Sequence, residues 1–145
     1  MEINQRLALF QSLIGQPMNH SPSGIGRWLN GTLLTVEEGR MTASYLVRED
    51  MVNPMQVLHG GAASAILDDL CGLTVFALGR EFGFTSVNLT MDFLNAARLG
   101  ETLTAEANVL RAGRNIIHLE GRITNADGKL IAKCSTNLVQ TTVKL

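Results

Sequence analysis

The residues best suited to chemistry stand together near the middle of the chain: Asn53, His59, Gly60, Gly61 and Asp68. The apolar run after Gly61 predicts a helix, whose first backbone N–H groups would have no partner within the helix. The helix dipole makes that end partly positive, and glycine lets a ligand approach the backbone closely. Gly60 and Gly61 could therefore hold a developing oxyanion. The alternative is a tight loop that only leads into a core helix.

The predicted helix carries two adjacent carboxylates, Asp68 and Asp69. Its other residues are apolar on nearly every side, which predicts a buried helix. A carboxylate in such a helix is unfavourable unless it is paired or hydrogen-bonded, and two adjacent residues cannot share one helix face. One of the pair can reach the surface, whereas burial of the other would raise its pKa and make it a better general base.

The spacing between Gly60 and Asp68 restricts how they could cooperate. Eight residues of helix separate them by roughly 12 Å along the axis. An Asp side chain cannot cover that distance, so a site that uses both would take Asp68 from a second copy of the chain. This hypothesis predicts a dimer with two equivalent sites about a two-fold axis.

The elements that must position these groups follow from hydrophobic periodicity and turn signals. They predict a short amphipathic helix at residues 2–14 and a loop at 16–26. Two strands follow at 28–36 and 41–47, and then the long helix at 60–79. Four further strands are predicted at 84–93, 102–110, 116–124 and 130–143. An antiparallel meander after one long helix suggests a sheet wrapped around that helix. We expect one α+β domain over residues 1–145, with an N-terminal helix and loop (1–26) and a core (27–145).

The spaced pattern from Asn53 through His59-Gly60-Gly61 to Asp68 resembles the signature of hotdog-fold acyl-CoA thioesterases of the phenylacetate-pathway type. The segments 93–101 and 111–114 resemble the same family. The resemblance implies a hotdog fold and an acyl-CoA substrate that is small or aromatic. It also implies a homodimer, which we expect to assemble into a tetramer. It implies no metal and no cofactor, since coenzyme A is part of the substrate.

The resemblance also suggests a role for each matching residue. Asp68 would act as general base on water or as nucleophile on the thioester carbonyl. Gly60, with Gly61 beside it, would donate backbone N–H groups to the oxyanion, and His59 would orient this turn. Asn53 would bind the carbonyl or orient the attacking water. Ser86 would help to position that water, with the adjacent Thr85 as the alternative.

Two further positions concern the substrate. The family usually has Gly three residues after the Asn, and this chain has Gln56. We expect its larger polar side chain to narrow the acyl pocket or to add a hydrogen bond. Arg111, Gly113 and Arg114 resemble the loop that meets the nucleotide end of coenzyme A, where the planar donors of Arg suit phosphate. The alternative for that segment is a solvated hairpin turn.

Competing functions remain at this stage. A hotdog hydratase or dehydratase would use a His as working base in another arrangement, and a binding module would hold acyl-CoA without turnover. No Gly-x-Ser-x-Gly nucleophile elbow occurs, and the three His residues have no metal-ligand spacing.

Composition narrows the class of partner and the compartment. The chain has 145 residues, 46% of them hydrophobic, and a net charge of −1, which gives no electrostatic case for nucleic acid or an anionic membrane surface. The N-terminal residues lack the features of a signal peptide. Cys71 and Cys134 suit small core residues. We therefore expect a cytoplasmic protein.

Overall fold

A computed structural model describes residues 2–145 and contains three α-helices and six strands. The helices are α1 (Gln5–Ser12), α2 (Gly24–Leu29) and α3 (Gly60–Phe76), with a short 3-10 helix at Glu49–Met51. The strands are β1 (Thr32–Glu37), β2 (Arg40–Leu46), β3 (Phe82–Phe93), β4 (Thr102–Ala112), β5 (Ile116–Thr124) and β6 (Leu130–Lys144). All six predicted strands and the long helix are confirmed, with ends that differ by a few residues.

The strands form one antiparallel sheet in the order β1-β2-β4-β5-β6-β3. Helix α3 packs across the inner face of this sheet. Its side chains Ile66, Leu67 and Leu70 are buried there against inward-facing residues such as Leu103 and Leu119. The predicted arrangement, an antiparallel sheet wrapped around one long helix, is therefore confirmed.

One prediction near the N-terminus is wrong. The strand expected from residue 28 begins at Thr32, because Gly24–Leu29 form α2 instead. The Ser23 side chain accepts a hydrogen bond from the N–H of Gly26, which caps the helix. Asn30 ends it with a left-handed conformation, φ 49°. Six helical residues are too few for a 3.6-residue period to stand out from a strand pattern.

Strand β3 lies at one edge of the sheet and pairs only with β6 in the single chain. Its 12 residues leave a long unpaired edge. The apolar side chains of Val87 and Phe93 on this strand are 60% and 57% exposed. An edge of this length with exposed apolar residues is a template for pairing with another chain.

Candidate active site

The Gly-Gly turn is the N-terminus of α3. Gly60 is the first helical residue, and His59 is the N-cap with φ −63° and ψ 137°. The Nδ1 atom of His59 accepts a hydrogen bond of 2.8 Å from the N–H of Gly61. This bond requires an unprotonated Nδ1, so the neutral ring carries its proton on Nε2. The His59 side chain thus already engages the Gly61 N–H at the start of α3. The orienting role that the resemblance implies for it stays a prediction.

The N–H of Gly60 is the donor left for a substrate, because no acceptor for it exists within residues 2–145. Gly60 lines a cavity of about 430 Å³ together with Asn53 and Phe93. A Cβ atom added to Gly60 would lie 3.2 Å from Cζ of Phe93. The absence of a side chain therefore keeps the helix N-terminus open to this cavity.

Asn53 organises the loop that precedes the helix. Its Oδ1 atom accepts hydrogen bonds from the N–H groups of Met55, at 2.9 Å, and Val57, at 3.4 Å. The side-chain oxygen is therefore used within the loop, as in an ordinary Asx turn. The Nδ2 group remains as the donor that Asn53 could offer to a carbonyl oxygen or a water.

Gln56 has a backbone conformation that is uncommon for a residue other than glycine. Its backbone has φ 63°, in the left-handed region that favours glycine, and its side chain is exposed. It is absent from the lining of both the Gly60 cavity and the cavity at Asp68 described below. The structure therefore gives a backbone reason why glycine suits this position, and in the single chain Gln56 does not narrow an acyl pocket.

Asp68 and Ser86 form the second cluster. The hydroxyl of Ser86 donates a hydrogen bond of 3.0 Å to Oδ1 of Asp68. Both residues, with Thr85, line a cavity of about 380 Å³. In the pairing of β3 with β6, Ser86 lies opposite Leu138 and Asn88 lies opposite Asn137, so Val87 between them has no partner. This β-bulge turns Ser86 toward the helix while Asn88 faces the other side of the sheet.

Asp68 is the member of the carboxylate pair that reaches the surface, since its side chain is exposed in the single chain. The side of α3 that carries Asp68 is open to solvent there, and its other residues, Gly61, Ser64 and Gly72, are small and lie at turn spacing. Burial of this carboxylate would need a second chain or a bound substrate.

Asp69, the other carboxylate of the predicted pair, is the one that the fold partly buries. Burial raises its pKa above the ordinary value of 3.8, the Ser23 hydroxyl opposes that rise, and the charge of Asp68 adds to it. Among residues 2–145, neither Oδ2 of Asp69 nor the Tyr45 hydroxyl has a hydrogen-bond partner. Burial, and then the charge of Asp69, raises the pKa of Tyr45.

The two clusters occupy separate cavities within one chain. Gly60 and Asn53 line one, and Asp68 and Ser86 line the other, with no lining residue in common. Eight residues of the continuous helix α3 hold Gly60 and Asp68 roughly 12 Å apart along its axis. A single chain therefore does not bring the predicted oxyanion donor and the predicted carboxylate onto one substrate atom.

The basic segment predicted at residues 111–114 is the turn between β4 and β5. Gly113 is required there, because a Cβ atom would lie 2.6 Å from the carbonyl oxygen of Ile116. The guanidinium of Arg80 donates to the carbonyl oxygens of Gly113, at 3.1 Å, and Ala112, at 3.4 Å. Arg111 and Arg114 are exposed on this anchored turn. The anchoring Arg80 lies in a different loop and has no sequence signal.

Residues 2–145 contain neither a metal-binding cluster nor a membrane-spanning helix. No group of three or more His, Cys, Asp or Glu side chains is placed to hold a metal ion. In the same residues no helix combines the length and the apolar character needed to cross a membrane. Cys71 and Cys134 are buried and free, as expected for core residues.

Comparisons with known proteins agree with this geometry. The model of the Thioesterase superfamily matches residues 55–132, which include the α3 N-terminus, Asp68 and Ser86. Acyl-coenzyme A thioesterase PaaI of Escherichia coli is 30% identical over 103 residues, covering 69% of this chain and 70% of that protein. Human acyl-coenzyme A thioesterase 13 is 29% identical over 103 residues, covering 70% and 74%.

Solved structures show the same fold. The E. coli PaaI protein from the phenylacetic acid degradation operon superposes with a TM-score of 0.83 at 19% identity, over 99% of both chains. A Streptococcus mutans protein bound to acetyl CoA gives a TM-score of 0.75 at 21% identity, covering 80% of this chain and 92% of that one.

The fold and the matched residues define a hotdog domain. This chain belongs to the Thioesterase superfamily, and its reaction class is thioester hydrolysis.

Proposed function

We propose that this protein hydrolyses acyl-CoA thioesters to the free acid and CoA, in a site that two subunits share. The observation that carries the proposal is the distribution of groups along α3. A free N–H stands at Gly60, and two turns later Asp68 accepts a hydrogen bond from Ser86. Each cavity holds half of what acyl transfer requires, namely an oxyanion donor or a carboxylate that can act as base or nucleophile.

A dimer that pairs the free edges of β3 would unite the halves. Related by a two-fold axis, two α3 helices would run antiparallel, so that Asp68 of one subunit approaches the α3 N-terminus of the other. The unpaired edge of β3 and the exposed side chains of Val87 and Phe93 support this arrangement. The same contact would cover the open side of α3. We propose further that two such dimers form a tetramer.

The chemistry in that site would proceed as follows. The N–H of Gly60 and the Nδ2 group of Asn53 would polarise the thioester carbonyl and stabilise the oxyanion. Asp68 from the other subunit would either take a proton from the attacking water or attack the carbonyl carbon itself. The C–S bond then breaks, CoA leaves as the thiolate, and the thiolate takes up a proton. In the second route, water hydrolyses the acyl–Asp68 anhydride.

The nucleotide end of CoA would lie at the β4–β5 turn. Arg111 and Arg114 would bind phosphate groups, and Arg80 would hold the turn in place through its two hydrogen bonds. The proposal needs no metal and no cofactor. It also includes a cytoplasmic location, with which the free cysteines Cys71 and Cys134 agree, since disulfides are rare in that compartment.

The experiment measures CoA release with a thiol reagent from a panel of acyl-CoA thioesters. We expect Asp68→Asn to lower turnover at least about a hundredfold, because it removes the base or nucleophile while leaving a similar shape. The matched control is Asp127→Asn, the same chemical change in the exposed β5–β6 turn, which should keep full activity.

Other outcomes would contradict the proposal. A wild-type protein that binds CoA thioethers but releases no CoA would be a binding module. Addition of water to an enoyl-CoA without CoA release would make it a hydratase. The two routes for Asp68 separate in a single turnover in oxygen-18 water. The general-base route places the label only in the product acid, whereas label in the Asp68 carboxylate can arise only when water attacks the Asp68 carbonyl of the anhydride in the nucleophile route.

A further inference from the structure

A third, mostly apolar cavity lies beneath the N-terminal helix. This chamber of about 500 Å³ stands between α1, the loop that follows it, β1 and α3. Its buried walls are the side chains of Phe10, Met18, Leu33 and Leu73. Its volume is within the range of sites for small organic ligands. The proposed mechanism does not use it.

The chemistry of the walls restricts the ligand. No Asp, Glu, Lys or Arg side chain of residues 2–145 lines the chamber, and its polar groups come from the loop residues Gln16, Asn19, His20 and Ser21. A carboxylate, phosphate or ammonium group would enter such a space without a counter-charge, which is unfavourable. An uncharged hydrocarbon would instead gain by leaving water.

The chamber adjoins the cavity that contains Asp68. Pro22 and Leu73 line both spaces, so the two are neighbours across this pair of residues. Asp68 and Leu73 belong to the same helix and are five positions apart, or roughly 7.5 Å along the axis. A chain attached to a carbonyl at Asp68 therefore needs only a few carbon atoms to reach the boundary.

Gly72 adds no side chain on the Asp68 side of this boundary. It lies one helical turn after Asp68, on the same side of α3, and lines the Asp68 cavity. A Cβ atom built there would meet nothing within 4 Å. Glycine in mid-helix is unfavourable compared with alanine, and no contact in the chain requires it here. Its lack of a side chain leaves room for an acyl chain to pass over this position.

We infer that the substrate is a linear aliphatic acyl-CoA of medium or greater length, whose chain passes from Asp68 over Gly72 into the chamber under α1. The inference rests on the proposed thioesterase function and deepens it. A small or aromatic acyl group would be held in the Asp68 cavity alone and would not reach the chamber. The N-terminal helix and its loop would then determine the preference for chain length.

The test compares acetyl-, hexanoyl- and dodecanoyl-CoA as substrates of the wild type and two variants. Leu13 lines the chamber from its outer side and is 39% exposed, so Leu13→Trp should fill the far end without overpacking the core. Ile14→Trp is the matched control, because Ile14 is 43% exposed and does not line the chamber. Gly72→Ala narrows the route closer to Asp68 and favours the helix.

We expect wild-type kcat/KM to rise with chain length, by up to about fourfold for each methylene that becomes buried. Leu13→Trp should lower kcat/KM at least about tenfold for dodecanoyl-CoA and least for acetyl-CoA. Gly72→Ala should lower it for both longer substrates, and Ile14→Trp should match the wild type. The inference would be overturned if the wild type preferred short or aromatic acyl groups and Leu13→Trp left that preference unchanged. The proposed thioesterase function would not be affected by that result.

A binding measurement separates this inference from the function on which it rests. Ethyl-CoA and dodecyl-CoA thioethers cannot be hydrolysed, and calorimetry gives their dissociation constants. Tighter binding of the dodecyl compound that Leu13→Trp removes would support the chamber even if no thioester were hydrolysed. Equal binding of the two thioethers would overturn it, whatever the activity.

Discussion

The Ser86 hydroxyl donates a 3.0 Å hydrogen bond to Oδ1 of Asp68, joining the edge strand β3 to the central helix α3. The bulge at Val87 makes this contact possible, because it lets Ser86 face the helix while Asn88, the next paired residue of β3, faces the other side of the sheet. A carboxylate held at one oxygen presents the other in a fixed direction. Ser86 is therefore a positioning residue for Asp68.

Ser86→Ala should lower kcat at least about tenfold, because a hydrogen bond to a charged group contributes about 1.5–3 kcal/mol. We expect KM to change little and Ser86→Thr to restore most of the activity by restoring the hydroxyl. Thr90→Ala, on the exposed part of the same strand, is the control. Steady-state kinetics check this prediction, and a change confined to KM would contradict it.

The N-cap made by His59 gives a prediction about stability. His59→Ala removes the acceptor for the Gly61 N–H and should lower the free energy of unfolding by about 1 kcal/mol. His59→Asn, which can cap the same N–H, should recover most of that loss and most of the activity. Urea denaturation together with CoA release measures both. Full activity in the Ala variant would show that the cap does not position Gly60.

The left-handed backbone at Gln56 predicts a stabilising substitution. Gln56→Gly should raise the free energy of unfolding by about 0.5–1 kcal/mol, because glycine adopts φ 63° without strain. Gln56→Ala keeps the strained Cβ and should bring no gain. Since the side chain is exposed and lines neither active-site cavity, kcat/KM should stay within about twofold. A large change in substrate preference would restore the predicted pocket role of Gln56.

The partly buried Asp69 predicts a pH dependence of stability. The pKa of Asp69 is raised in the native state, chiefly by burial. At pH values between the ordinary pKa of 3.8 and the raised pKa, the native protein therefore holds a proton that the unfolded chain has lost. The contribution of this residue to the free energy of unfolding therefore falls as pH rises through that range. Asp69→Asn should remove this fall. The stability of the variant relative to the wild type should therefore be greatest at pH values above the raised pKa.

Chemical denaturation of the wild type and Asp69→Asn across the acid-to-neutral range provides the measurement. Asp127→Asn, in an exposed turn, should track the wild type at every pH. A stability difference between the wild type and Asp69→Asn that does not depend on pH would contradict the assigned cause.

Much of the molecule could be predicted from the sequence, because its signals are local. The Gly-Gly entrance, the apolar period of α3 and the alternation of the strands each depend on neighbours along the chain. The structure also brings the predicted site residues Ser86 and Asp68 into contact, and the roles that the family resemblance implies for them stay predictions. The turn after Thr124 was recognisable because Asn125 and Gly128 supply its hydrogen bonds and positive φ.

The rest depends on contacts between distant segments. Helix α2 is too short for a periodic signal, and it brings Gly26 against Asp69, whose Oδ2 would lie 3.0 Å from a Cβ on that glycine. The burial of Asp69 rather than Asp68 follows from this packing. The bulge at Val87 is decided by the register between β3 and β6, and the left-handed Gln56 by the loop that Asn53 closes. None of these has a local pattern.

The shared site is the central claim, and complementation between two inactive variants tests it most directly. Gly60→Val blocks the helix N-terminus, Asp68→Asn removes the carboxylate, and co-expression with two different affinity tags isolates the mixed dimer. A two-fold dimer that shares its sites regains one intact site of two, so the mixed dimer should show about half of the wild-type activity, while each variant alone stays inactive. An inactive mixed dimer, with both subunits folded and paired, would contradict the shared site.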